Sequence, residues 1–416
     1  MRIAFPIKLR LIFSFFIGAS LVYPDNPPSQ WIVVSPPEFH EELTPLCEYR
    51  KNEGMLVIRV NTEVLNEAGD TSGSAENLKK RLHKLCSQSK GENYILLAGM
   101  MKEKNPGGST GITVPGIPGC IGRMKGIATD HGYGIPGSDY VPGVAIGRFP
   151  AGNKDEIRAM IQKTLHYEKI KSSGEWRNRI VSLLGNPGGK SLMEKRFAEF
   201  FTRLYENKFQ SEISPHWNLR IISHSPISPF FISGENLEKT FSINMEEGAL
   251  FTIYLGHSGA DSLFSDGMSF MNTEKWNRLR IRQGNCVFFT CGCFACQYEK
   301  EEGYGLTAMR NPGGPVAVIG SFSESYAALG LLAFQGLFAY LNSTPEKARL
   351  ADYWLSVNRG MANIEMDPFT FFLFDQADGS EGKVPLDVQR KEHLEMWTLL
   401  GDPALNIWTN PVMEDF

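Results

Sequence analysis

A chain of 416 residues with 42% hydrophobic and 21% charged side chains has ample material for one large α/β core or two fused ones, which excludes a generally disordered protein. Its formal charge of −4, with no basic stripe anywhere, excludes the electrostatic footprint of a nucleic-acid binder.

The chain opens with Arg2, Lys8 and Arg10 ahead of an apolar run from Leu11 to Leu21 that ends in small residues, the order of a secretory signal peptide spanning residues 1–24. An uncleaved N-terminal anchor is the alternative, although the run falls short of the roughly 20 apolar residues of a membrane span. No later stretch is apolar for long enough to cross a bilayer. The mature chain is therefore expected to lack a membrane span and to be secreted or held in the periplasm or cell envelope.

Beyond the signal, QWIVVSPPEF reads as a strand and EELTPLCEYRKNEG as a helix, with Gly54 placed to cap its end. MLVIRVNTEVL is the next strand, AENLKKRLHKLCSQ the next helix and ENYILLAG a third strand, so this region predicts βαβ units and a parallel sheet. Residues 104–143 are rich in Gly and Pro and form a long excursion at the sheet edge. VAIGRF and NKDEIRAMIQKTLHYEKI resume the strand–helix alternation, and RIVSLLG with LMEKRFAEFFTRLYE repeats it. GALFTIYLGH, NCVFFTCGC and PVAVIGS are three near-continuous apolar strands, as a sheet buried on both faces requires, and the helix ALGLLAFQGLFAYL follows the last. The expected fold class is α/β: two consecutive α/β subdomains of similar design, each with its own mostly parallel sheet flanked by helices. The division falls near Lys171, giving a first subdomain over 30–171 and a second over 172–410.

Two of the three buried strands run into reactive side chains, His257 and Cys293. In an open parallel sheet the ligand crevice lies beyond the carboxyl ends of the strands, so both side chains enter one site if the strands are neighbours. A free thiol titrates at about 8.5 and an imidazole at about 6.5, so the imidazole can serve the thiol as a base. Gly256, Gly259 and Gly292 let backbone N–H groups approach a substrate carbonyl. The plainer alternative makes Cys293 a small buried hydrophobe and His257 a hydrogen-bonded core residue. A four-thiolate metal site from Cys286, Cys291, Cys293 and Cys296 is a second alternative, but side chains alternate along a strand, so Cys286 cannot share a face with Cys291 and Cys293. These four, out of seven cysteines, sit within one segment and do not resemble a disulfide framework.

Four stretches together resemble the gingipain family of secreted bacterial cysteine peptidases: TDHGYGIPGSDYVPGVAIGRFPAGNKDEIRAMIQKTLHYE, YLGHSGADS, VFFTCGCFACQY and LLGDPALNIW. The resemblance implies a caspase-like fold and a Cys293–His257 dyad, with Cys291 the rival nucleophile. It implies an oxyanion hole from the N–H groups of Ser258, Gly259 and Cys293. It also implies a substrate pocket involving Tyr326, Leu255, Cys291, Glu194 and Asn186, with no metal or cofactor and with protein or peptide substrates. Three positions depart from the family pattern. Ser258 replaces the glycine after the catalytic His, Asn186 stands where a glutamate is carried, and Ser191 or Leu192 stands where the acid selecting Arg or Lys belongs, Glu194 being nearby. A preference for basic residues is therefore not expected. The short run before the first strand leaves no room for a long pro-segment, and the stop at Phe416 none for an immunoglobulin-like domain. The reading is an exported cysteine endopeptidase acting through a thioester. A non-catalytic binding or scaffold protein and a transpeptidase using the same acyl-enzyme are the alternatives.

Overall fold

The computed structural model describes residues 27–62, 73–102, 112–135, 140–170, 174–189, 191–298, 303–343 and 347–409. The segment read as a signal, and part of the excursion over 104–143, lie outside them. The first half runs β1 (Gln30–Ser35), α1 (Thr44–Asn52), β2 (Leu56–Asn61), α2 (Gly73–Gln88), β3 (Asn93–Ala98), β4 (Ala145–Phe149) and α3 (Lys154–Lys169). The second half alternates β5 (Arg179–Leu184), α4 (Leu192–Glu212), β6 (Asn218–Ser223), α5 (Gly234–Glu246) and β7 (Phe251–Leu255). After a hairpin and the short α6 (Thr273–Arg278) come β8 (Val287–Thr290), α7 (Tyr304–Arg310) and β9 (Ala317–Ser321). Four helices, α8 (Ala327–Ser343), α9 (Leu350–Asn363), α10 (Pro368–Asp378) and α11 (Leu386–Met396), lead to β10 (Trp397–Leu400).

The local chemistry explains these bounds. Gly54 ends α1 at φ +88°, where its N–H and that of Met55 return to the carbonyls of Lys51 and Arg50. Asn153 caps α3 by accepting from the N–H groups of Asp155 and Glu156. Ser191 and Glu194 form a reciprocal capping box at the start of α4. Strands β5, β7, β8 and β9 are buried along their whole length, which is why they carry unbroken apolar runs instead of alternation.

The ten strands join in a single sheet, in the order β6-β5-β7-β8-β9-β10-β4-β3-β1-β2. Reading the two halves as separate sheets is corrected here, because β10 lies between them. It pairs antiparallel with β9 through Leu399–Ile319 and parallel with β4 at Leu400–Arg148. All other neighbours are parallel. The strands of the first half consequently run opposite to β5–β9. Their carboxyl ends emerge at the other edge, so a crevice above β5–β9 draws its walls from the second half.

Buried ion pairs between distant segments hold the core together. Arg148 of β4, fully buried, donates to both carboxylate oxygens of Asp130, at 2.9 and 2.7 Å. Asp402, after β10, accepts from Trp31 Nε1 at 3.0 Å and from Arg50, whose guanidinium also reaches Glu168 at 2.6 Å. A fully buried guanidinium is tolerated only with such partners, since an unpaired buried charge costs several kcal/mol.

Candidate active site

Strands β7 and β8 pair in parallel, with Tyr254 opposite Thr290, and Cys291 N–H extends the ladder to Tyr254 O at 2.9 Å. Neither reactive residue is on a strand: β7 ends at Leu255 and β8 at Thr290, and His257 and Cys293 occupy the turns that follow. Both turns emerge at the same edge, and both side chains line one cavity of about 530 Å³.

Each turn is braced. The fully buried Tyr254 directs its hydroxyl at the carbonyl of His257, 2.7 Å away, and that carbonyl also accepts from Phe264 N–H at 2.8 Å. The Gly292 carbonyl lies against the hydroxyls of Ser321 and Ser325. Phe294, the residue after Cys293, has φ +58°, a strained conformation for a non-glycine residue, and its N–H is held by Ser323 O at 3.1 Å.

Ser258 joins the two turns by donating its hydroxyl to Cys293 O at 2.7 Å. A Cβ on Gly292 would lie 2.1 Å from Ser258 Oγ, so the serine and the glycine fit only as a pair. Among the described residues, the N–H groups of Ser258 and Cys293 have no hydrogen-bond acceptor. The Gly259 N–H does have one, Ser262 O at 3.0 Å in the hairpin that follows, which removes Gly259 from the expected oxyanion donors.

The two cysteine side chains in the cavity are chemically distinct. Cys291 donates its thiol to Gly330 O at 3.6 Å, a contact that favours the protonated form, and burial pushes its pKa well above the usual range. Cys293 Sγ accepts the Ser325 N–H at 3.4 Å, a contact that favours the thiolate. Burial, reinforced by Asp378 and Glu324, still pushes Cys293 up to about 11, against the opposing pull of Ser325 N–H and Arg123. The Cys293 side chain is thus held as a neutral thiol at physiological pH.

Of the expected pocket residues, Leu255, Cys291 and Glu194 line the cavity, as does Ser191, whereas Leu192 points to solvent. Asn186 and Tyr326 do not line it. Asn186 accepts the Gly188 N–H with its side chain and ties its backbone to Ser265 and Asp266, while Gly185, Pro187 and Gly188 face the cavity. Tyr326 is 1% exposed: its N–H donates to His393 Nε2 and its hydroxyl to Glu392, both at 2.7 Å, and the Arg123 guanidinium covers its ring. An aromatic at a helix start packs inward when buried partners exist for its polar tip, and these do.

The remaining walls were not read from the sequence. Phe197, Phe201 and Tyr205 of α4 recur every fourth residue, a helical stripe visible in LMEKRFAEFFTRLYE, and they face the cavity opposite Phe374, Ala377 and Asp378 of α10. Phe201 packs on Phe374 at 4.5 Å between ring centroids. Asp378 has no local signature, yet its Oδ2 lies 4.0 Å from His257 Nδ1. All seven cysteines are free, and among the described residues no three His, Cys, Asp or Glu side chains converge as a metal-binding group.

Comparison with known proteins speaks to the family and the fold. Residues 24–408 match the model of peptidase family C25. Gingipain R2 of Porphyromonas gingivalis is 27% identical over 164 residues, 38% of this chain and 20% of that protein. Gingipain R1 of the same organism is 26% identical over 164 residues, 38% of this chain and 14% of that protein. The matched stretch thus spans about a fifth or less of the curated relatives' own length. The crystal structure of the Arg specific cysteine proteinase gingipain R superposes with a TM-score of 0.61 at 17% identity, covering 92% of this chain and 79% of that one. The complex of Porphyromonas gingivalis RgpB pro- and mature domains gives 0.61 at 17% identity, covering 90% and 79%. At this identity the likeness concerns the fold, which is the caspase-like α/β architecture.

Proposed function

The chain belongs to peptidase family C25, a family of cysteine-type peptidases, and on that premise we propose that it is an exported cysteine endopeptidase whose site lies in the subdomain over 172–410. The observation that carries the reading is the Cys293 thiol, which accepts an N–H in a cavity shared with the imidazole of the neighbouring parallel strand. His257 takes the thiol proton as Sγ bonds to the substrate carbonyl carbon, since a thiol held up to about 11 supplies little thiolate by itself. The N–H groups of Ser258 and Cys293 receive the oxyanion. The imidazolium then passes its proton to the leaving amine as the C–N bond breaks, leaving a thioester. Water attacks that thioester with His257 again as base, and the thiol departs with the returned proton. Export follows from the order of residues 1–24, and among the described residues no helix is long and apolar enough to cross a membrane.

The substrate residue before the scissile bond is apolar. Met193, Phe197, Phe201, Leu184, Leu255 and Phe374 supply most of the wall, and the Glu194 carboxylate is engaged by the Ser191 N–H at 3.1 Å in the capping box. The other carboxylate of the wall, Asp378, faces His257 at 4.0 Å, so a guanidinium or ammonium in such a pocket would lack a dedicated partner at a cost of several kcal/mol. The test is alkylation of the purified chain in a Cys120→Ser background, followed by mapping of the modified cysteine and profiling of a peptide library. Cys293 should label first, with a rate that climbs steadily between pH 7 and 9, and cleavage should follow apolar residues and vanish in Cys293→Ala and His257→Ala. Labelling of Cys291 in preference, or activity surviving Cys293→Ala, would overturn the assignment. Cleavage confined to Arg or Lys would overturn the specificity alone.

A further inference from the structure

We propose that Asp378 is the positioning residue of His257, the acid that holds Nδ1–H and so leaves Nε2 as the basic nitrogen for Cys293; this rests on the dyad proposed above. The two side chains face each other at the cavity rim, Nδ1 to Oδ2 4.0 Å, each about half exposed. Neither side chain makes a hydrogen bond among the described residues. The gap exceeds hydrogen-bond length by about 1 Å, within reach of a rotamer adjustment, and catalytic contacts are commonly longer before substrate closes the site. In a neutral imidazole an acid on Nδ1 selects the tautomer whose Nε2 accepts a proton, and it stabilises the imidazolium that follows.

The position of Asp378 does not serve stability. It is the last residue of α10, where the helix dipole disfavours an anion, and burial together with Glu324 pushes its carboxyl up while His257 and Arg123 pull it down. The fold nevertheless holds it firmly. Three residues earlier, the buried Asp375 accepts from Ser380 N–H at 2.8 Å, Gly382 N–H at 2.6 Å and Gln389 Nε2 at 2.7 Å, pinning the chain directly after Asp378. Gly379 permits this turn because a Cβ there would lie 2.5 Å from Asp375 Cα. Asn186 turns its side chain to the Gly188 N–H and does not line the cavity, so the acid beside the imidazole is the one that α10 supplies. Around the pair, the other titratable or charged groups are Cys293 after β8, Glu194 and Tyr205 across the cavity on α4, and the Arg123–Glu324 ion pair.

The test records the tautomer of the neutral His257 imidazole by NMR in the full chain carrying 15N-labelled histidine, with His257→Ala for assignment, and measures cleavage of the best library peptide in parallel. The wild-type spectrum should show the Nδ1–H tautomer, and Asp378→Asn should shift the population toward Nε2–H. kcat should drop about 10- to 100-fold at constant KM, part of what a well-held general base contributes, with partial recovery in Asp378→Glu. An unchanged tautomer population in Asp378→Asn overturns the proposal whether or not the chain cleaves peptides, so a failure of the peptidase reading is told apart. A raised KM for basic peptides at unchanged kcat would also overturn it, making Asp378 a specificity residue.

Discussion

Replacing Gly292 by Ala tests the joint between the turns that carry His257 and Cys293. The new Cβ would start 2.1 Å from Ser258 Oγ and 3.0 Å from Ser258 Cβ, so either the serine hydroxyl rotates away from Cys293 O or one turn moves by roughly 1 Å. Overpacking of this kind costs about 1–3 kcal/mol, and loss of the Ser258–Cys293 hydrogen bond adds about 1 kcal/mol. The larger effect is on the proposed reaction, because without that bond the two turns are no longer tied and the Ser258 N–H loses its register with Cys293. Losing one oxyanion donor lowers kcat by about 100-fold or more. The assay is a double-mutant cycle on kcat/KM and urea stability with Gly292→Ala, Ser258→Gly and the pair. The double variant should recover most of the activity lost in Gly292→Ala, because the clash has gone while the N–H remains. Gly292→Ala within about threefold of wild type, or a double variant no better than Gly292→Ala, would refute the reasoning.

Asp130→Asn should destabilise the fold by about 3–5 kcal/mol by leaving the Arg148 guanidinium without its charged partner, read as a lowered urea midpoint. Tyr326→Phe should cost about 1–2 kcal/mol through the lost Glu392 contact and leave cleavage preference unchanged, because the ring lies outside the cavity. Burial lowers His131 to about 4 and His393 to about 3, so both are neutral when folded and take a proton near pH 6.5 when unfolded. Their contribution is complete above that pH and is lost as the solution is acidified toward pH 4 and below. The urea midpoint should fall between pH 6.5 and 4.5, and less steeply in His393→Gln; an equal slope in that variant would contradict the assignment.

The sequence by itself marked the strands and the two reactive residues that follow them. Unbroken apolar runs marked β7 and β8 because a strand covered on both faces admits no polar alternation, and His257 and Cys293 follow those runs within three residues. Parallel pairing then brings both turns to one edge. The α4 stripe of Phe197, Phe201 and Tyr205 has a visible helical spacing, but spacing alone did not mark it as a cavity wall. Tertiary structure decided everything that depends on which distant segments meet. The insertion of β10 between the halves, the burial of Tyr326 by His393 and Glu392, the fit of Ser258 Oγ against Gly292, and the arrival of Asp378 beside His257 leave no periodic mark in the chain. Periodicity records which face of an element is covered. It is silent on which partner covers it, and the acid nearest the imidazole is set by how α10 packs above the sheet.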